Sequence, residues 1–386
     1  MPEKFKSASL LLLALPILSL LFHSCTQRHY SYGFVSIPAV SSDGKYIATL
    51  VAETEVTTRQ ENGGYRSSSN NSSYWLKVYE LSSGKLMKKK KVAENAEKQN
   101  LTAISYGGYG DNIWLNTNKL VVYNIKTLEK VTDEEAISKQ NNLDPFNFPI
   151  DQRFIDEMLS DGFMLYRGMD GKQYKIDAGN FKITALDKLT PELISTLNKK
   201  NMEETKQSGI RGFRSDTIGK NMFDLTKDSS AALDSHPGYD NTDDIFRPLH
   251  LYKSEYSVTQ IGSYRSYKKT NLVQLSGNTY YNGRFAKDYT NGQLIRVNNG
   301  NGYLIISFEK PTNETNTILS SVTHDNKTNW QTNTGLSSRI NHCFSTNRHC
   351  ILTGNKHYII SPVVGSDFIS IVDLKNGKLV KLLPDE

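Results

Sequence analysis

Repeated β-hairpins at a spacing of about 40–50 residues predict an all-β chain of four-stranded units, stacked as the blades of a propeller. Two further observations agree. The 386 residues include 21 Tyr, 15 Phe and 26 Gly against seven Met, a composition suited to half-buried strands and tight turns. Apolar content of 37% supports a core but falls short of a chain of membrane spans, and is too high for a disordered one.

The first element is not a blade. Lys4 and Lys6 precede an apolar run from Ala8 to Phe22, the charged head and short apolar stretch of a secretory signal peptide. The run is too short to cross a bilayer comfortably, where about 20 residues are needed, and Pro16 interrupts it. Cys25 follows the small residue Ser24. This arrangement resembles the signal of bacterial lipoproteins, although Phe22 and His23 depart from the usual upstream pair. The resemblance implies removal of residues 1–24, acylation of Cys25 and a lipidated tether over 25–33, with two or three acyl chains giving stable anchorage.

The blades follow over 34–386. Hairpins are expected at 76–86, 120–130, 173–181, 319–330 and 369–379, each an alternating strand, a polar turn and a new strand. The offsets Leu81 to Ile125, Ile125 to Ile176 and Val322 to Val372 are 44, 51 and 50 residues. A second hairpin type turns at Asp43-Gly44, and another spans Cys343 to Leu352 with its turn at Thr346-Asn347. Ser42-Asp43-Gly44-Lys45 with Val78 to Lys85 resembles a WD40-like blade of bacterial β-propeller lipoproteins. Leu319 to Trp330 resembles a quinoprotein-like blade, one residue short and without its Gly. Six to seven blades result, with an insertion at 188–245. That insertion opens on Thr190-Pro191, an N-cap followed by Pro at the first helical position, with Leu193, Ile194 and Leu197 as an apolar stripe.

Chemistry-bearing residues are few. His342-Cys343 and His349-Cys350 form the sharpest cluster. With Cys25 consumed by lipid, export leaves an even pair, and a two-residue turn at Thr346-Asn347 sets positions 343 and 350 opposite each other. A disulfide between Cys343 and Cys350 is the first reading. Two buried free thiols and a Cys/His metal or haem site are the others. Lys88 to Lys91 read as a solvated charge run or as a contact for anionic headgroups or polysaccharide. Asp43, Asp170 and Asp373 satisfy turn donors rather than calcium. Tyr280, Tyr281, Tyr264 and Tyr267 pack between blades or stack on sugars. His236 beside Asp240, Asp243 and Asp244 reads as loop. No nucleophile elbow, zinc-protease motif or phosphate loop occurs. The net charge of +6 is spread along the chain and does not point to nucleic acid.

The expected function is therefore an exported, lipid-anchored binding or scaffold module of the cell envelope, at the outer membrane. It is expected to be monomeric, with a protein or glycan partner, no cofactor, no metal and no catalytic residue. The alternative is a quinoprotein-like or hydrolytic periplasmic enzyme using the propeller channel, although Trp330 is the one tryptophan placed for quinoprotein-type docking.

Overall fold

The computed structural model describes residues 26–385 other than 61–65, 96–102, 118, 144–154, 158–161, 169, 187–214, 219, 236–246, 262–263, 276–277, 289–292, 313–314, 326, 337–339 and 355–367. The signal segment, Cys25, the helix expected at Thr190 and the His236 group lie outside the described residues.

Among the described residues the chain is all-β, with six four-stranded meanders and two short helices. Blade 1 holds β1 (Thr26–Val40), β2 (Tyr46–Gln60), β3 (Arg66–Glu80) and β4 (Leu86–Asn95). Blade 2 holds β5 (Ile104–Tyr109), β6 (Asn112–Asn116), β7 (Leu120–Asn124) and β8 (Lys130–Asp133), followed by α1 (Glu134–Gln140). Blade 3 is β9 (Ile155–Glu157), β10 (Phe163–Arg167), β11 (Gln173–Asp177) and β12 (Ile183–Leu186). Blade 4 is β13 (Ser215–Ile218), β14 (Asn221–Thr226), β15 (Pro248–Ile261) and β16 (Tyr264–Gln274), with α2 (Ser229–Asp234) after β14. Blade 5 joins β17 (Tyr280–Phe285), β19 (Gly302–Phe308), β20 (Thr317–Thr323) and β21 (Thr328–Asn333), with β18 (Arg296–Val297) beside β19. Blade 6 is β22 (Ile340–Ser345), β23 (His349–Gly354), β24 (Phe368–Asp373) and β25 (Leu379–Leu382).

Pairing within each blade is antiparallel, and β1 meets β5 in parallel through Ile37 and Tyr106. Middle strands such as β19 and β24 are buried on both faces almost throughout. Their runs of Leu, Ile and Phe therefore do not alternate, because a blade is covered by a neighbour on each side. Five shared cores join neighbouring blades among the described residues. Blades 1 and 2 share Leu50, Leu76, Ile113 and Leu115, and blades 2 and 3 share Trp114, Val122, Tyr166 and Ile176. Phe223 and Leu251 join blades 4 and 5 through Tyr303, and Leu304 and Leu319 join blades 5 and 6 through Leu352 and Val372. Phe34, Ile47 and Tyr79 meet Ile351, Ile369 and Leu382, packing blade 6 on blade 1 and bringing the chain back on itself.

The last hairpin of four blades repeats one turn. Glu80, Asn124, Asp177 and Asp373 each donate their N–H to the carbonyl five residues on. Each accepts from the residue four on, namely Gly84, Leu128, Phe181 and Gly377, and all four of these have φ between 59° and 73°. The following residue donates to a carbonyl of the first hairpin turn: Leu81 to Lys45, Ile125 to Asp111, Ala178 to Gly162 and Leu374 to Arg348. Blade 5 has the shorter version expected of 319–330, closing from Thr323 N–H to the Lys327 carbonyl.

This turn is also where the next blade docks. Lys88 and Lys90 of β4 donate to the carbonyls of Lys126 and Leu128 at 2.8 and 3.0 Å. Gln140 and Asn141 after β8 donate to Asn180 and Phe181. The Trp330 indole N–H on β21 donates to the Leu374 carbonyl at 3.1 Å and its ring lies over Gly377. Val380 and Leu382 of β25 lie over Gly84. The outer edge of one blade thus grips the turn of the next, from 1 to 2, 2 to 3, 5 to 6 and 6 to 1.

Three expectations are corrected. The tether expected over 25–33 is, from Thr26 onward, part of β1. The insertion at 188–245 contains β13 and β14, two strands of blade 4, whose alternation was hidden by the polar sequence around it. Lys88 and Lys90 are not part of a freely solvated run, since both clamp blade 2.

Candidate functional site

Blade 6 presents the thiol and imidazole groups. Thr346 N–H donates to the His349 carbonyl, so Asn347-Arg348 form the turn, one residue later than expected. Cys343 therefore pairs with Leu352 and Cys350 with Ser345. The two cysteines are diagonal rather than opposite, buried as thiols with sulfurs 3.6 Å apart. The Cys350 contact, burial and the nearby Asp288 carboxylate push the Cys343 thiol well up. Such a thiol is a poor nucleophile. His342 Nδ1 lies 3.1 Å from Thr353 Oγ1, and desolvation lowers its pKa to about 4. His349 is buried opposite Asp373 on β24. No cluster of three or more His, Cys, Asp or Glu positioned to hold a metal occurs among the described residues.

Blade 4 carries a buried charged centre that local sequence did not reveal. Lys269 on β16 donates from Nζ to Asp224 Oδ2 at 3.1 Å and to Ser235 Oγ and the Ala232 carbonyl at 2.6 and 2.5 Å. Ser235 Oγ donates to Asp224 Oδ1 at 2.7 Å. The Lys269 and Asp224 side chains are 3% and 0% exposed. A lysine beside a serine hydroxyl has the composition of a nucleophile pair. Here both are closed to substrate, and the lysine instead ties the end of α2 to the sheet. The three groups are far apart in sequence, so no motif marks them.

The turn aspartates behave as expected. Asp43 accepts from Ser41 Oγ and the Lys45 N–H and pairs with Lys126, which holds its pKa down to about 2. Asp170 accepts from Lys172 N–H and Tyr174, and Asp373 from Lys375 N–H and Arg348. Tyr280 is fully buried against Phe285 and Tyr303 in the blade 4–5 core, and the Tyr264 and Tyr267 side chains lie outside the described residues.

The exposed feature that sequence reasoning missed is a pair of β arms. Strands β1, β2 and β3 each run 15 residues, yet the buried body of blade 1 starts at Phe34, Val51 and Tyr74. Residues 26–33, 52–60 and 66–73 form a sheet beyond that body, in unbroken register from Thr26↔Arg59 to Gly33↔Ala52. In blade 4, β15 and β16 continue as a two-stranded ribbon past Glu255, with Ser257, Val258, Thr259 and Gln260 exposed. The available signal was the length of the polar stretch from Thr26 to Tyr32 and of the Ser/Asn run before Tyr74.

No protein-family profile and no curated protein matches the sequence. Among solved structures, one match is to a study of two prolyl endopeptidases, at 11% identity and a TM-score of 0.23, covering 93% of this chain and 41% of that one. An acylaminoacyl peptidase of Pyrococcus horikoshii matches at 12% and 0.24, covering 91% and 46%. The chain thus spans less than half the length of these two peptidases. The Cps50 (Swd1) β-propeller domain of Myceliophteria thermophila matches at 10% and 0.22, covering 92% and 97%.

Proposed function

We propose that this chain is an exported, lipid-anchored propeller that binds a protein partner at the membrane surface through its β arms. The observation that carries this reading is the length of β1 to β3. Apart from Ala52, which packs on the blade 1–2 core, no described arm residue is among the buried core residues, so the arm's ordering is little repaid by the propeller core. Stacked blades supply a rigid body, and extended elements on a rigid body suit recognition. Acylation of Cys25 follows from the resemblance of the N-terminus to lipoprotein signals. It would hold Thr26, the first residue of the arm, one residue from the lipid.

Two measurements test this together. Cys25→Ala is expected to release the protein from membranes and abolish its labelling by a clickable fatty acid. A photo-crosslinker at His29 in intact cells is expected to give one discrete adduct, absent when placed at Ser82 in a turn of the blade body. Retained labelling in the Cys25 variant, or the same adduct pattern from both positions, would overturn the reading.

A further inference from the structure

The face of the blade 1 arm that continues the blade 6 contact has a composition of its own. Phe34 pairs with Val51, and both lie in the core shared with Phe344, Ile369 and Ile371. Side chains alternate along a strand, so Tyr32 with its partner Glu53, and Tyr30 with its partner Glu55, extend that face beyond blade 6. Tyr30 and Tyr32 are 53% and 39% exposed there. The C-terminal segment crosses the body end of this face, against Lys77 and Tyr79 of β3. Its Pro384 carbonyl is held by Lys77, Leu383 is 39% exposed, and Asp385 is exposed. Burial, then the Glu53, Asp385 and Tyr30 charges, raise the Tyr32 phenol. Arg28 pairs with Glu55 at 3.4 Å, leaving Glu53 and Asp385 as the acidic rim of an aromatic surface on a chain of net charge +6.

We propose that this face, formed by Tyr30, Tyr32 and Glu53 with the Leu383 and Asp385 tail, docks an extended protein segment bearing Lys or Arg at alternate positions. The inference rests on the reading of the chain as a binding module and names its surface and partner chemistry. Same-face side chains on β1 recur about every 6.6–6.8 Å, the spacing of alternate side chains in an extended peptide. Tyrosine rings accept ammonium or guanidinium groups over their faces, and the two carboxylates pair with the same cations at the rim. A positive partner is repelled by most of this basic chain and attracted here, so the charge pattern also selects orientation. An anionic lipid surface or an acidic segment would meet the wrong sign. A neutral glycan would use the rings but gain little from the charge.

The test uses the full exported chain and three labelled probes: a nonapeptide of alternating Lys and Thr, its Glu-for-Lys counterpart, and cellohexaose. Fluorescence anisotropy is expected to show binding of the Lys peptide alone, weakening several-fold between about 50 and about 200 mM salt. Tyr30→Ala with Tyr32→Ala is expected to weaken it about tenfold. Glu53→Gln with Asp385→Asn is expected to weaken it and flatten the salt dependence. Unchanged far-ultraviolet circular dichroism guards against misfolding. Binding of no peptide, equal binding of both peptides, or affinity indifferent to these variants would overturn the proposal. Retention of cellohexaose that the tyrosine variant loses would overturn it in favour of a glycan. Should the His29 adduct form normally in the Tyr30/Tyr32 variant, this inference fails while the binding-module reading stands.

Discussion

The buried Lys77 ammonium donates to the Pro384 carbonyl at 2.7 Å, joining the third strand of the first blade to the tail that leaves the last. Tyr79 lies on the same path, its hydroxyl 3.5 Å from the Leu383 carbonyl. Each described blade is built from contiguous chain, with no strand exchanged between the ends. Closure of the ring therefore depends on face packing and on this polar link.

Removing residues 383–386 is expected to cost about 2 kcal/mol, because a buried ammonium loses a carbonyl acceptor. Lys77→Met removes the charge but keeps the stem, and the combined variant is expected to be more stable than the sum of the two losses by about 1 kcal/mol. Urea unfolding of the four proteins measures the coupling, and strictly additive losses would show that the link does not close the ring.

Gly377 tests the outer-edge grip. It has φ of 73°, and a Cβ there would meet the Trp330 ring at 2.7 Å and Thr332 Oγ1 at 2.9 Å. Gly377→Ala combines backbone strain with overpacking, at about 3 kcal/mol or more. Gly300 has φ of 88° with nothing within 4 Å, so Gly300→Ala is expected to cost only the backbone share, about 1–2 kcal/mol. Tryptophan emission should shift red in the first variant only.

What was legible in the sequence was what lies close together along it. The hairpins at 76–86, 120–130, 173–181 and 369–379 are the same turn four times, and the shortened 319–330 is shortened in space. Blade 4 was missed because β13 and β14 are brief strands set in polar sequence between 188 and 245. The left-handed residue of the turn was visible at Gly84 and Gly377 but not at Leu128 and Phe181. There, packing of Leu128 into the blade 1–2 core and of Phe181 against Trp114 outweighs backbone preference. The Lys269 centre and the Asp288 carboxylate that accepts from Ser345 join residues far apart in the chain. No local pattern encodes them.

The Lys269–Asp224 pair gives a second measure of blade 4. Burial pushes Asp224 up and Lys269 down, while each charge opposes the shift of the other. Breaking such a pair from one side strands the remaining charge, so Lys269→Met and Asp224→Asn are each expected to cost about 3–5 kcal/mol. The double variant should fall short of the sum. Native-state hydrogen exchange across 229–235 should rise selectively, since α2 is held through the Ala232 carbonyl and Ser235; uniform exchange across the ring would contradict that role.

His342 makes blade 6 sensitive to acid. Its folded pKa, lowered by desolvation to about 4, lies below the unfolded value near 6.5. The unfolded chain therefore binds more protons between the two. The His342 contribution is full above about pH 6.5 and is lost as pH falls towards 4, by at most about 3 kcal/mol. The stability difference between the native chain and His342→Asn should vary with pH across that window and level off outside it. A constant difference from pH 4 to 7 would remove His342 as the cause.

The cysteine pair offers a test of the proposed export. Cys343 and Cys350 are diagonal neighbours on one face of a hairpin with sulfurs 3.6 Å apart, so a bond requires them to approach by roughly 1.5 Å. Oxidation would close a loop of eight residues, constraining the unfolded chain by about 2.5 kcal/mol in the chain-entropy account. Protein purified from the exported fraction is expected to show no titratable thiol at positions 343 and 350 after unfolding, and a linked 343–350 peptide without reductant. The same chain expressed without residues 1–24 in a reducing cytosol is expected to show two thiols at those positions and a lower urea midpoint. Two free thiols in the exported protein would argue that burial shields the pair from oxidants, and would leave the compartment to be read from Cys25 alone.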